Sequence, residues 1–522
     1  MAHWAFEIAD RLIAEKPNKE EYVCACGISP SGSVHIGNFR DVATSMFVAR
    51  ALALRGKKAR LMLSWDDFDR LRKVPSNIAS VVDGFEKNIG IPYTFIEDPF
   101  KTDVSYGMHF EHEFEKSLAE FGIKLDIRRQ TEYYTSGKYT DQIILALAKR
   151  KQIYDILMSF KTQDASDEDR ENYYPISVYC EECKKDLTKV VSFDEKTNEL
   201  VYYCNNCGCE HRVNVRDYHL IKLSWKVDWP MRWVYEGVDF EPGGIDHATP
   251  NGSYDVAKVI VKEIFGGQAP LFQGYGWLGI QGLGSMHSSS GNNITPAKLL
   301  EIYEPIIIEW LFAKYRPEEA FEFAFNDTMI RHYSEFDKLI ARANKGELND
   351  FEKDLISLLF GDAKLVEKTG FGIISSVAPI VDFNIEALQK ALAKAGVKFD
   401  SESFGRVEKV KNWIETYNPE KKYDLLQSAN TEYYATLTDE EKDVIAKLYD
   451  YVANNDFTES EIQTYLYTII NDATLSKKEN IERQKLHFKN IYNLLFGRND
   501  GPRLYLFMAA ANKDSYLNLL KF

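Results

Sequence analysis

Gly27-Ile28-Ser29-Pro30-Ser31-Gly32-Ser33-Val34-His35-Ile36-Gly37-Asn38-Phe39-Arg40-Asp41 is the stretch on which the fold turns. Before it, Tyr22-Val23-Cys24-Ala25-Cys26 is a short apolar run ended by a glycine, as expected for a buried strand. After the loop, Val34 to Leu54 has the pattern of a helix closed by Gly56. Lys58 to Trp65 follows as a second strand, ending at the acidic turn Asp66-Asp67. Strand, helix and strand with a crossover of that length predict a right-handed βαβ unit and a parallel sheet. The loop is built from small residues such as Ser31, so its backbone N–H groups can approach a phosphate, and the helix N-terminus adds a positive field. His35 in the first turn can donate to a phosphate oxygen, and Gly37 leaves room for a flat adenine ring.

The chain has 522 residues, 45% of them hydrophobic, enough for several packed cores. Its formal net charge of −15 argues against a general polyanion binder. A nucleic-acid ligand stays open, because such affinity depends on local basic surface. No run approaches twenty apolar residues, and the first residues lack the basic start and apolar core of a secretory signal. The expectation is a cytoplasmic protein with no membrane partner.

Residues 165–215 are polar and turn-rich and carry Cys180-Glu181-Glu182-Cys183 and Cys204-Asn205-Asn206-Cys207. This CxxC…CxxC spacing predicts a structural zinc ribbon on Cys180, Cys183, Cys204 and Cys207. Val190-Val191-Ser192-Phe193 and Leu200-Val201-Tyr202-Tyr203 supply a hairpin between the pairs. Four thiolates leave no open position, so the zinc is expected to hold shape only. Cys209 is a spare thiol beside the set, while Cys24 and Cys26 belong to core packing. The alternating pattern resumes near Leu220. From about residue 296 the chain turns helical: Leu300, Tyr303, Ile307 and Leu311 share a helical face, and Thr438-Asp439-Glu440-Glu441 and Thr458-Glu459-Ser460-Glu461 have the form of capping boxes. The expected division is 1–164 and 216–325 as two halves of one α/β domain, 165–215 as a cysteine-rich insertion, and 326–522 as an all-helical region.

The Gly27–Asp41 segment resembles the HIGH motif of class I aminoacyl-tRNA synthetases, with Asn38 in last place as in the class I lysyl-tRNA synthetases. Further runs resemble the same family in the same order: Ser64-Trp65-Asp66-Asp67-Phe68-Asp69-Arg70, Trp225-Lys226-Val227-Asp228-Trp229-Pro230-Met231-Arg232-Trp233, Phe240-Glu241-Pro242-Gly243-Gly244-Ile245-Asp246-His247 and Gly501-Pro502-Arg503-Leu504. The resemblance implies a Rossmann-type catalytic domain that joins L-lysine to ATP with Mg²⁺, then passes the lysyl group to the 3′ end of tRNA(Lys), with the helical region on the anticodon end. It implies an ATP site on Ser31, His35, Gly37, Asn38, Gly244, Asp246, His247, Met286 and Ser288, with His35, Asn38, Ser288 and Ser290 in the catalytic step. An ammonium-bearing substrate calls for carboxylates and aromatic faces. The matching positions are Gly27 and Ser29 for the backbone end, then Asp41, Asp228, Trp229, His247 and Tyr275. Asp41 stands where the family more often has a longer acid. A monomer is expected.

Gly284-Ser285-Met286-His287-Ser288-Ser289-Ser290-Gly291-Asn292 lies where the family has its KMSKS-type loop. Ser285 and Ser290 replace its lysines. Losing a cation beside developing phosphate charge costs on the order of ~3 kcal/mol, like one removed oxyanion donor. Adenylate formation is therefore expected to be slow. Two alternatives stay open at this level: a paralogue that binds tRNA or adenylates an amino acid for another acceptor, and an enzyme for another amino acid such as glutamate. Lys477, Lys478, Arg483, Lys485, Lys489, Arg498 and Arg503 form either a phosphate-contacting face or a solvated helix surface.

Overall fold

A computed structural model describes residues 2–80, 82–161, 166–281 and 294–522. Five strands build the central sheet: β1 (Glu21–Ile28), β2 (Lys58–Trp65), β3 (Asp126–Arg129), β4 (Phe240–Gly244) and β5 (Leu271–Tyr275). They lie in the order β5-β4-β1-β2-β3, and all neighbours are parallel. β1 pairs with β2 in unbroken register from Glu21↔Lys58 to Ile28↔Trp65. Residues 22–26 are buried on both faces, as a parallel strand covered by helices must be. The βαβ unit and its parallel sheet thus form as the sequence predicts.

The crossover helix α1 (Ile36–Leu54) buries thirteen of its nineteen residues, polar Arg40, Asp41, Thr44 and Ser45 among them. A helix packed on most sides needs partners for those polar groups. Ser45 Oγ donates to Ala25 O of β1 at 2.6 Å, and Gly56 (φ 75°) turns the chain into β2. The helix starts at Ile36, with His35 as its extended N-cap, so the imidazole precedes the first turn rather than lying within it.

The cysteine-rich insertion is a three-stranded antiparallel sheet, Thr188–Asp194, Glu199–Cys204 and Cys209–Asn214, one strand more than the expected hairpin. Its Cys180, Leu200, Tyr202 and Cys204 share a core with Phe68, Tyr134, Ile143, Val227 and Ile260 of the α/β domain. Among the described residues, most buried side chains of the insertion belong to this shared core.

Contacts divide the chain into two compact units. The first is Met1–Leu300 with Ile308–Phe323 and Leu348–Ala363; the second is Glu301–Ile307 with Ala324–Glu347 and Lys364–Phe522. Thr438 and Thr458 open helices with complete capping boxes as expected, and Ser476 opens a third. Buried Arg406 in the second unit pairs with Glu304 at 2.8 Å and Asp337 at 2.7 Å. Several of its noted cations are engaged locally: Arg483 bonds Glu440 and Ile470 O, Lys485 bonds Glu482 at 2.8 Å, and Arg498 donates to Glu420 O at 2.6 Å.

Candidate active site

The strand order reverses at β1, with β2 on one side and β4 on the other. In open parallel sheets, ligands bind beyond the strand C-termini at such a switch point. Here an open cleft is lined by His35, Gly37 and Asn38 at the start of α1, by Gly244, Asp246 and His247 at and beyond the end of β4, and by Tyr275, Gly276, Trp277 and Leu278 at and beyond the end of β5. Six residues expected around ATP, and Tyr275 from the expected lysine set, therefore line one cleft. Ser31 is not among them; Tyr106 OH donates to its carbonyl at 2.8 Å and holds the loop. Ser29 is hydrogen-bonded to the buried Tyr93 hydroxyl. Met286, Ser288 and Ser290, with Ser285, lie outside the described residues.

Local packing explains the glycines. A Cβ on Gly37 would lie 2.8 Å from Cε1 and Nδ1 of His35, so this glycine makes room for the imidazole itself. A Cβ on Gly276 would lie 2.4 Å from the Glu318 carbonyl oxygen, a backbone atom that cannot swing aside. The same turn is pinned by Arg40, which donates to Gly276 O at 3.0 Å and Glu319 O at 2.6 Å. Burial pulls the Arg40 guanidinium down to about 10, which leaves it charged at neutral pH. With its backbone fixed, the turn presents Trp277 to the cleft with its surface 66% exposed.

Deeper in, Gly27 N–H donates to Asp41 Oδ2 at 2.9 Å, and the Tyr275 hydroxyl bonds the same carboxylate. Burial raises Asp41 well above the usual carboxylate range, and the charge on Glu241 raises it further. Glu241 was not singled out from sequence. It lies on β4, is buried, and accepts from the Trp233 indole at 2.5 Å. Its Oε1 is 4.0 Å from where a Cβ on Gly27 would stand, so Gly27 is flanked by two carboxylates. Burial pushes Glu241 up as well. An acid inside an otherwise apolar strand was the signal that could have marked it.

Asp228 lies elsewhere. Oδ1 accepts from Tyr134 OH at 2.5 Å, while Oδ2 faces Arg232 at 3.1 Å and Lys222 at 3.4 Å. Lys222 also pairs with Asp69 at 2.6 Å, and Arg232 with Asp66 at 2.7 Å and Ser64 at 2.8 Å. Asp228 thus anchors an internal ion network. Trp229 is buried between Trp225 and Trp233, with His247 5.9 Å away. Among the described residues, the buried cations of this region are Lys222, Arg232 and Arg40, the last bonded to backbone carbonyls, and they are set against Asp41, Asp66, Asp69, Asp228 and Glu241.

The four cysteine sulfurs lie within 4.8 Å of one another, with Cys180–Cys207 at 3.9 Å and Cys183–Cys204 at 3.8 Å. A tetrahedral zinc with Zn–S bonds of about 2.3 Å requires sulfurs about 3.8 Å apart, so the donor set fits. Asp98, Asp103 and His109 form another group of closely spaced donors, one that no motif in the sequence marks.

A parallel sheet with its cleft at the switch point between β1 and β4 defines a Rossmann-type α/β domain. The chain belongs to the class I tRNA synthetases: the family model described as tRNA synthetases class I (K) matches residues 2–358. It is similar to the lysine–tRNA ligase of Streptomyces coelicolor, at 33% identity over 99% of this chain and 98% of that one. It is similar to the enzyme so named from Pyrococcus horikoshii, at 32% identity over 100% and 99%. It is similar also to that from Borreliella burgdorferi, at 34% over 99% and 98%.

Proposed function

We propose that this chain is a lysine–tRNA ligase. One site observation carries the choice of amino acid: Asp41 and Glu241 flank Gly27 behind the cleft-lining Tyr275, and the buried cations nearby are engaged, Lys222 and Arg232 with Asp66, Asp69 and Asp228 and Arg40 with backbone carbonyls. A pocket short of positive charge favours a substrate that brings ammonium groups. A glutamate side chain would need the opposite. The lysine carboxylate attacks the α-phosphorus of ATP, the bond to the bridging oxygen breaks, and pyrophosphate leaves with its electron pair. The tRNA 3′ ribose hydroxyl then attacks the adenylate carbonyl and AMP departs. Such catalysis rests on positioning and charge stabilisation.

In this reading His35, Gly37, Asn38, Gly244, Asp246 and His247 hold ATP, and His35 and Asn38 donate to its phosphates. Mg²⁺ bound with ATP supplies charge neutralisation. Asp41, Tyr275 and Glu241 receive the substrate ammonium, while Gly27 and Ser29 border the amino-acid backbone. Asp228 and Trp229 shape the pocket from behind. Cys180, Cys183, Cys204 and Cys207 would hold a structural zinc. The helical unit takes the anticodon end of tRNA(Lys), and the enzyme works as a cytoplasmic monomer. No single helix among the described residues is long and apolar enough to cross a membrane.

The test is aminoacylation of tRNA by purified protein with ATP and Mg²⁺, comparing labelled lysine, glutamate, arginine and ornithine. Lysine-dependent charging alone is the expected result. Charging with glutamate, or tRNA binding without charging by any of the four, overturns the assignment.

A further inference from the structure

The last strand of the insertion carries donors beyond the four cysteines. Cys209 and His211 are two residues apart on one strand and so share a face. Cys209 pairs across the hairpin with Cys204, and His211 with Tyr202, on whose ring it stacks at 5.0 Å. His211 is 8% exposed, and its two nitrogens have different surroundings. Nδ1 donates to Glu181 Oε1 at 2.7 Å, which leaves the Nε2 lone pair directed at sulfur: Cys209 Sγ at 3.1 Å and Cys180 Sγ at 3.7 Å. Glu182 completes a group whose donor atoms lie within 4.8 Å of one another.

We propose that Cys209, His211 and Glu182 form a second, exchangeable site for a zinc-class divalent cation beside the four-thiol site. Three features carry this. The donors are a nitrogen, a sulfur and a carboxylate oxygen, the set such ions take, and their separations suit one ion: tetrahedral Zn–N and Zn–S bonds place N and S about 3.5 Å apart, and here they stand 3.1 Å apart before any adjustment. The Glu181–His211 contact is the carboxylate–histidine arrangement that orients a metal-binding imidazole and sets its tautomer. Four thiolates holding a zinc would carry net negative charge, which would favour a neighbouring dication. Three protein donors leave a fourth position for water, and Glu182 is exposed, so this ion exchanges more readily than the enclosed one. Binding displaces the Cys209 thiol proton to solvent.

The experiment equilibrates the full chain with chelator-buffered zinc and measures bound zinc by mass spectrometry, for the native protein, C209S and H211Q. The native protein is expected to bind one equivalent more than either variant, released first by a weak chelator, with equal melting temperatures at low free zinc. Taking the difference removes any contribution from other metal-binding groups. Equal zinc content in all three at every free-zinc level overturns the proposal. If either variant loosens the ribbon, E182Q decides: its side chain is exposed, and the free zinc needed to fill the second site is expected to rise at least about tenfold. An unchanged zinc isotherm for E182Q then overturns the proposal.

Discussion

Gly27 and Asp41 are joined by a 2.9 Å hydrogen bond from backbone N–H to carboxylate, which ties the end of β1 to the second turn of α1. The bond turns Oδ2 of Asp41 toward the strand end, and Glu241 faces the same glycine from β4. The charge on Glu241 raises the proton affinity of Asp41, and a ligand ammonium beside them would relieve it.

Removing one of these charges should therefore act on lysine alone. Glu241→Gln keeps the shape and hydrogen-bonding capacity toward Trp233. We expect the KM for lysine to rise about tenfold or more, the loss of ~1.5–3 kcal/mol typical of a hydrogen bond to a charged group, with the KM for ATP unchanged. Lysine-dependent pyrophosphate exchange measures both. A change confined to the KM for ATP would count against the lysine role of Glu241.

The same acids set a pH dependence. Both have folded-state values above the ordinary carboxylate range of about 4. As raised groups, they favour the free folded protein most below the unfolded value, and that contribution is lost as pH rises through the folded values. Ammonium binding needs them ionised, so it behaves oppositely. Lysine affinity should increase as pH rises from about 4 through their raised values, and Glu241→Gln should flatten that rise. Lysine-binding calorimetry across pH would show it.

Trp277 leaves a large apolar surface in the cleft, held there by a turn that Arg40 pins. A purine stacked on it would cover that surface. Trp277→Ala should raise the KM for ATP by about five- to a hundredfold, corresponding to stacking worth ~1–3 kcal/mol per base, with lysine binding preserved. A raised KM for tRNA with unchanged ATP kinetics would place the terminal adenosine there instead.

Gly276 is a backbone requirement. A methyl group 2.4 Å from the Glu318 carbonyl oxygen forces the turn to move, and Arg40 loses one of its carbonyl acceptors. Gly276→Ala should destabilise the first unit by about 1–3 kcal/mol, as overpacking does, and lower adenylate formation with it. Denaturant unfolding followed beside pyrophosphate exchange is the measurement.

By the resemblance of Gly284–Asn292 to a KMSKS-type loop, Ser285 and Ser290 take the places of its lysines. Restoring charge with Ser285→Lys or Ser290→Lys should speed adenylate formation, up to about a hundredfold if the full ~3 kcal/mol is regained. Single-turnover measurement of the native protein should be correspondingly slow.

Local pattern was enough for the elements and the family. Apolar strands around a small-residue loop, the helix up to Gly56, capping boxes at Thr438 and Thr458 and the CxxC pairs each depend on neighbours in sequence, so they were legible there. Their matching order from the HIGH-like run to Gly501-Pro502-Arg503-Leu504 carried the family. Which carboxylate faces which ligand depends on long-range packing. Asp228 and Glu241 both sit in runs that match the family, yet Arg232, Lys222 and Tyr134 close around Asp228, while the Trp233 indole holds Glu241 and places it beside Gly27. Likewise Gly37 makes room for His35, and His211 meets Cys180 from 31 residues away. Spacing along one element follows from helix and strand periodicity; the partner of a buried charge is decided only when distant segments exclude water around it.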